Sequence, residues 1–226
     1  MNVNQNVATP RSKGARILIM VAVSVERDAI LRGLQGDTRF DVQLAGVGPV
    51  AAAVNTTKIL ATTPYDLVIS AGIGGGFPSQ AEVTSLVVST EIIAADLGAE
   101  TPDGFSSLDE LGFGFTRIPV DASLANQLTE ALQLAGLPAH KGPILTLATV
   151  TGTAETAAEL QRRVPGATAE AMEGFGVASA AHDLGIPVLE IRAISNAVGP
   201  RDRSAWRIKD ALDALEKAST VLLEVL

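Results

Sequence analysis

The sequence predicts one α/β domain, with helices on both faces of a central, mostly parallel or mixed sheet in three layers. Three observations predict it. Short apolar runs alternate with stretches of helical periodicity over the 226 residues. No Pro/Ser-rich linker, internal repeat or low-complexity segment divides the chain. Ala and the 21 Gly are abundant while aromatics make up only 4%, so neighbouring layers can approach closely.

Each element follows from its residues. Residues 1–14 are polar and lack the apolar core of a secretory signal, so they read as a tail preceding a domain over 15–226. Residues 16–23 (RILIMVAV) form a continuous apolar run, as in a strand buried on both faces. Ser24 is placed to cap a helix over 25–34. A second strand is expected over 40–46. Gly48 and Pro49 then open a helix through Leu60, since proline is tolerated in the first turn. Residues 66–73 form a third strand ending in a glycine cluster, and 83–93 a fourth. Residues 94–116 carry little periodicity and read as one long irregular loop. Helices are expected over 124–134, 154–163 and 174–184, and strands over 144–150, 167–172 and 188–195. A final helix over 204–226 buries Leu212, Leu215, Val221, Leu222 and Val225.

Composition removes several classes of function. Lys plus Arg is 17 against 25 for Asp plus Glu, a net charge of -8, which argues against a nucleic-acid polymer as partner. With no cysteine there is no disulfide frame, thiol nucleophile or thiolate metal site. The two histidines, His140 and His182, have no metal-ligand spacing, so neither a metal nor a cofactor is expected. His140 reads as a surface residue and His182 as structural. No apolar run approaches the roughly 20 residues that span a bilayer, and a cytoplasmic enzyme is the expectation.

In open α/β sheets, ligands bind beyond the carboxyl ends of strands. Four clusters fall at such ends: Val25-Glu26, the run from Ala71 to Gly76, Met172-Glu173, and Arg192 to Asn196. The glycine run is neither a P-loop nor G-x-G-x-x-G before a helix. It reads either as a flexible turn or as backbone that a ligand approaches without Cβ interference. Glu26 and Glu173 suit a helix first turn as well as a site. Arg192, inside an apolar strand, needs a carboxylate or anion, for which Glu26 and Glu173 are the candidates.

These segments resemble the nucleoside phosphorylase and nucleosidase superfamily from Arg16 to the C-terminus. The similarity rests on Val25-Glu26, the Gly46–Ala53 segment, the Ser70–Gly75 segment, Ala171-Met172-Glu173-Gly174 and Arg192-Ala193-Ile194-Ser195-Asn196, in the family's order and spacing. Residues 94–100, 149–153 and 196–203 most resemble its futalosine-hydrolase branch, which releases hypoxanthine from a 5′-modified inosine in menaquinone synthesis. The resemblance implies a phosphorylase/hydrolase-like fold, and a homodimer or higher homo-oligomer with residues 94–116 as a candidate interface.

The resemblance also implies roles. Glu26 corresponds to the carboxylate that deprotonates water, and Glu173 to the one that binds the ribose hydroxyls. Met172 would pack under the sugar, and Arg192 would hold the carboxylates and help order the water. Gly72, Ile73 and Gly74 would contact substrate, and Thr149, Thr151 and Gly152 the base. Asn196 stands where adenine-specific relatives carry Asp. Its amide can donate to a 6-oxo group and accept from a protonated N7, which suits hypoxanthine. The early Gly-Asp-Pro-x-Arg turn of the phosphorylases is replaced by Ala22–Glu26, without arginine, favouring water over phosphate. Arg201, Arg203 and Trp206 either meet a carboxylate at the substrate's 5′ end or cap the last helix. Alternatives are a methylthioadenosine/adenosylhomocysteine or aminodeoxyfutalosine nucleosidase, and a non-catalytic purine-nucleoside sensor.

Overall fold

The first apolar run becomes a core strand because all five of its residues, Ile17–Val21 (β1), are buried. The computed structural model describes residues 14–226, so the tail expected over 1–14 lies outside the described residues apart from Gly14. After β1 come α1 (Ser24–Leu34), β2 (Phe40–Leu44), α2 (Pro49–Leu60), β3 (Leu67–Gly76) and β4 (Leu86–Ala94). A hairpin of β5 (Gly98–Thr101) and β6 (Gly104–Ser107) leads through a helical turn, α3 (Leu108–Leu111), to β7 (Arg117–Pro119). The chain continues with α4 (Ala122–Leu134), β8 (Ala139–Thr146), α5 (Ala154–Arg163), β9 (Ala169–Ala171), α6 (Gly174–Asp183) and β10 (Val188–Ala197). A 3₁₀ turn (Arg203–Ala205) precedes α7 (Ile208–Val225).

The expected mixed sheet is present. β1 lies between β2 and β3, all parallel, and β10 adds parallel to β3. Beyond it, β4 runs antiparallel to β10, and β8 parallel to β4. The three-residue β9 then pairs with β8 and returns to the glycine end of β3, so β3, β10, β4, β8 and β9 close into a ring. Val87, Ile144, Ala169 and Ile194, one from each of β4, β8, β9 and β10, form one apolar cluster with Ala81. Helices α6 and α7 both pack on β3, β4 and β10; α2 joins α6, while α1 and α4 join α7. Leu215, Val221 and Leu222 of α7 are buried as expected, whereas Leu212 and Val225 are half-buried.

Four local expectations are corrected. The glycine run is no turn: Gly72, Gly74, Gly75 and Gly76 extend β3 and pair with β10 and β9. Residues 94–116 hold the β5–β6 hairpin and α3, whose first turn is closed by a Ser107–Glu110 capping box. β8 spans Ala139–Thr146 instead of 144–150, because pairing with β4 takes the polar stretch before Pro143 into the sheet. Helix α1 starts at Ser24 itself, and the side chain that reaches back to its preceding amides is Glu26.

Candidate active site

The carboxyl ends of β1, β3, β9 and β10 surround a cleft of about 490 Å³. Glu26, Ile73, Gly74, Thr151, Met172, Glu173 and Asn196 line it. All seven are residues that the sequence assigns to the site. Thr149, Gly152, Gly72 and Arg192 do not line it. Thr149 and Gly152 are exposed in the loop after β8, with the Gly152 carbonyl accepting the Arg201 N–H at 3.3 Å. Arg192 nonetheless pairs with Glu173, which does line it.

Glu26 is 3% exposed at the first turn of α1. Its Oε2 accepts the N–H groups of Ala22 (3.0 Å) and Val23 (3.1 Å), and its Oε1 that of Ile73 (2.9 Å). A carboxylate offers about four lone-pair directions, so one on Oε1 remains for a ligand or water. Burial nonetheless holds the Glu26 carboxyl above its usual range, outweighing the Ile73 N–H, the Arg192 charge and the Val23 N–H. Gly72 is required beneath it: a Cβ there would sit 2.6 Å from Glu26 Oε1 and 2.8 Å from Arg192 Nη1.

Arg192 is fully buried. Its expected partners were Glu26 and Glu173, but its closest is Glu190, two residues back on the same face of β10, which accepts the Nε–H at 2.8 Å. One terminal nitrogen donates to Ser70 Oγ at 3.0 Å, and the other lies 3.4 Å from Glu173 Oε2. Glu173 Oε1 accepts the Gly48 N–H at 3.1 Å, which ties the ion pair to the start of α2. Thus Glu173 and Glu190 pair with one guanidinium whose charge also acts on Glu26, an excess of buried negative charge that a proton reduces. Glu190 is placed to hold it: burial pushes its carboxyl from 4.5 to about 7.

A carboxyl with a raised folded pKa binds more protons folded than unfolded. Its stabilisation is complete below about pH 4.5 and is lost as pH climbs through about 7. Glu190→Gln therefore removes a fall in stability between those limits. Urea denaturation of both proteins at about pH 5 and about pH 8 measures it. Equal pH slopes would contradict this account.

Asn196 reaches the cleft through an irregularity in β10. The register against β3 shifts between Ile194 and Asn196, leaving Ser195 as an extra residue, and both Ser195 and Asn196 line the cleft. The Ser195 hydroxyl donates to Asn196 Oδ1 (2.8 Å), and Asn196 Nδ2 donates to the Ala197 carbonyl (3.0 Å). These contacts fix the amide orientation and leave one N–H on Nδ2. At the exposed end, the guanidinium carbons of Arg201 and Arg203 lie 5.1 Å and 5.9 Å from the Trp206 ring centre, and Arg201 and Trp206 line the cleft. Asp202 caps the 3₁₀ turn through Ser204 N–H, so capping there falls to the aspartate. His140 pairs with Glu82 at 2.7 Å, and His182, exposed on α6, packs edge-on against Phe115.

Two acids escaped the sequence reading. Glu190 sat in an apolar strand, and its signal was an acid two residues before a buried arginine. Glu170, on β9, is 5% exposed and lines the cleft; its Oε1 accepts the Thr151 N–H at 2.9 Å. Burial raises its pKa against the two Thr151 contacts. Among the described residues, no cluster of three or more His, Cys, Asp or Glu is arranged to hold a metal ion, and no helix is long and apolar enough to cross a membrane.

Comparison with known proteins decides the family. The phosphorylase superfamily pattern matches residues 22–226. Futalosine hydrolase of Streptomyces coelicolor is 51% identical, with 93% of this chain and 96% of that protein covered. That of Acidothermus cellulolyticus is 45% identical over 91% and 89%. The chain is a futalosine-hydrolase-like member of the phosphorylase superfamily. The superfamily fold is also seen in the native structure of futalosine hydrolase from Helicobacter pylori, with a TM-score of 0.81, 94% of this chain and 99% of that one covered, and 18% identity. Within this superfamily member, Glu26, Met172, Glu173 and Asn196 come to one cleft from three separate segments of the chain.

Proposed function

We propose that the chain hydrolyses the N-glycosidic bond of futalosine, releasing hypoxanthine and dehypoxanthine futalosine, a step in menaquinone synthesis. Two futalosine hydrolases are 51% and 45% identical to it. The observation that carries the chemistry is Glu26: a cleft-lining, buried carboxylate gripped by three backbone N–H groups, which leave acceptor capacity on Oε1.

Glu26 orients a water and takes its proton as the oxygen attacks C1′. The C1′–N9 bond breaks, its electron pair leaves with the base, and the base is protonated from solvent. Glu173 holds the ribose hydroxyls and faces the positive charge that grows on the sugar. Met172 packs beneath the ribose. Arg192 is a positioning residue that holds Glu173. Asn196 gives its free N–H to the 6-oxo group. Ile73 and Gly74 line the substrate path, and Arg201 with Trp206 meets the aromatic carboxylate of the 5′ group. Phosphate is a poor nucleophile here, because Glu26 repels it and Arg192 is buried among carboxylates.

Incubating the protein with futalosine and with its 6-amino analogue, then identifying the released base, tests this reading. Hypoxanthine release is expected, and activity confined to the 6-amino nucleoside would overturn it. Asn196→Asp should shift preference toward the 6-amino substrate by about tenfold or more, since a carboxylate accepts from the amino group and repels the 6-oxo oxygen. An unchanged preference would remove Asn196 from base recognition.

We also infer a homodimer or higher homo-oligomer. Val47, Val50 and Val54 are exposed at and along α2, Val50 at 76%, and Val47 lines the cleft. Phe113, 80% exposed, lies two residues from Phe115, which packs on Phe175 of α6 beside α2. Val50→Asp is expected to yield monomers in sedimentation. A native protein that sediments as a monomer would refute the assembly.

A further inference from the structure

Glu190 is a fully buried acid to which the roles above give no part. Its Oε1 accepts the Arg192 Nε–H at 2.8 Å, while its Oε2 has no hydrogen-bond partner. The carboxyl is pressed against the first residue of α6: a Cβ built on Gly174 would lie 2.0 Å from Oε2 and 2.4 Å from Oε1. Gly174 directly follows Glu173, so the acid lies beside the backbone that carries Glu173. The neighbours on the other sides are neutral. Ser89 of β4 accepts the Glu190 backbone N–H at 2.8 Å, and Ser70 stands opposite on β3. The buried residues of α7, which packs on β10, carry no charge. Glu170 of β9 stands opposite Gly75, at the far end of β10. The charges that act on Glu190 are those of Arg192 and Glu173.

The guanidinium is held unevenly. Nε and Nη2 make hydrogen bonds, to Glu190 and Ser70. Nη1 makes none, and its 3.4 Å separation from Glu173 Oε2 is an ion pair alone. Two carboxylates thus compete for one cation, and the tighter contact belongs to the one outside the cleft lining. Glu190 can take a proton at its free Oε2 without giving up the Arg192 contact at Oε1. Once neutral, it draws the guanidinium less and leaves the positive charge to Glu173. Burial lifts its carboxyl to about 7, so this change falls near neutral pH.

We infer that Glu190 is a positioning residue that governs, through Arg192, how firmly Glu173 is held for the ribose: the Arg192–Glu173 pair closes when Glu190 carries a proton and loosens when Glu190 is ionised. This rests on the proposed nucleoside hydrolysis, in which Glu173 holds the ribose hydroxyls. The coupling is reciprocal, so a bound nucleoside raises the proton affinity of Glu190. A purely structural Glu190 would alter melting and leave the pH dependence of KM in place.

The test is the pH dependence of KM for futalosine in native protein and in Glu190→Gln. The amide keeps an oxygen for the Arg192 Nε–H and carries no charge at any pH. Native KM is expected to rise by about fivefold or more between about pH 6 and about pH 8, a typical coupling between two sites. In Glu190→Gln it is expected to stay near its low-pH level. A flat native KM, or a rise that persists in the variant, would overturn the inference. Glu190→Met, uncharged and of similar length, gives the same reading if the amide variant fails to fold. A second readout uses native protein alone: calorimetry at about pH 7 of a C-glycosidic futalosine analogue, which binds without cleavage, in buffers of different ionisation enthalpy. Net proton uptake on binding is expected, and none, or release, overturns the inference. The two readings fail differently. Native protein that releases no hypoxanthine from futalosine defeats the proposed function and this inference together. Hypoxanthine release with the same KM profile in native and variant defeats the role of Glu190 alone.

Discussion

Glu26→Gln is expected to lower kcat for hypoxanthine release by about 10²–10⁴-fold, the usual contribution of a positioned general base, while nucleoside binding persists. The variant cannot be structurally silent. Glu26 accepts three backbone N–H groups with its two oxygens, and an amide in its place must turn its NH₂ toward at least one of them. That mismatch should cost about 1–3 kcal/mol of stability, so melting is measured beside turnover. Because burial raises the Glu26 carboxyl, the acidic limb of the native pH–rate profile should lie above the ordinary glutamate range, with activity falling as pH drops through it. A variant that retains turnover would remove Glu26 from the chemistry, and one that loses binding as well would make its role structural.

Arg192→Met carries the largest expected effect on stability. The guanidinium is fully buried, and its loss leaves Glu173 and Glu190 without their cation and Glu26 without its nearest positive charge. Breaking a buried pair by removing one partner costs about 3–5 kcal/mol. For a chain of this size that is a fall in Tm of roughly 6–20 °C. The loss should shrink on acidification: without Arg192 the carboxyls rise further, and acids raised in the folded state favour folding below their unfolded pKa and oppose it as pH increases. Arg192→Lys should restore only part of the stability, since an ammonium lacks the fork that reaches Glu190, Ser70 and Glu173 together. A near-normal melting temperature in Arg192→Met would contradict the shared-guanidinium account.

Much of the site was legible because chemistry-bearing residues interrupt apolar strands at their carboxyl ends. Glu26, Glu173 and Asn196 stand out for that reason, and the strand-end rule brings them together without knowledge of pairing. What escaped depended on partners distant in sequence. The stretch before Ile144 reads as loop because His140, Lys141 and Pro143 are poor strand residues. Pairing with β4 overrides them, and Pro143 sits at the register shift opposite Glu91. The glycines of β3 read as a turn because their strand character comes from β10 and β9. Glu170 is hidden among Thr and Ala, and its place in the cleft wall appears only when β9 closes the ring against β3.

The central claim is that a carboxylate-held water, and not phosphate, attacks C1′. Its most direct test is to run futalosine cleavage in ¹⁸O-labelled water, with and without added phosphate, and analyse the sugar product. The account predicts the same rate of hypoxanthine release in both, with one ¹⁸O at C1′ and no sugar 1-phosphate. Cleavage that requires phosphate and yields the sugar 1-phosphate would contradict it.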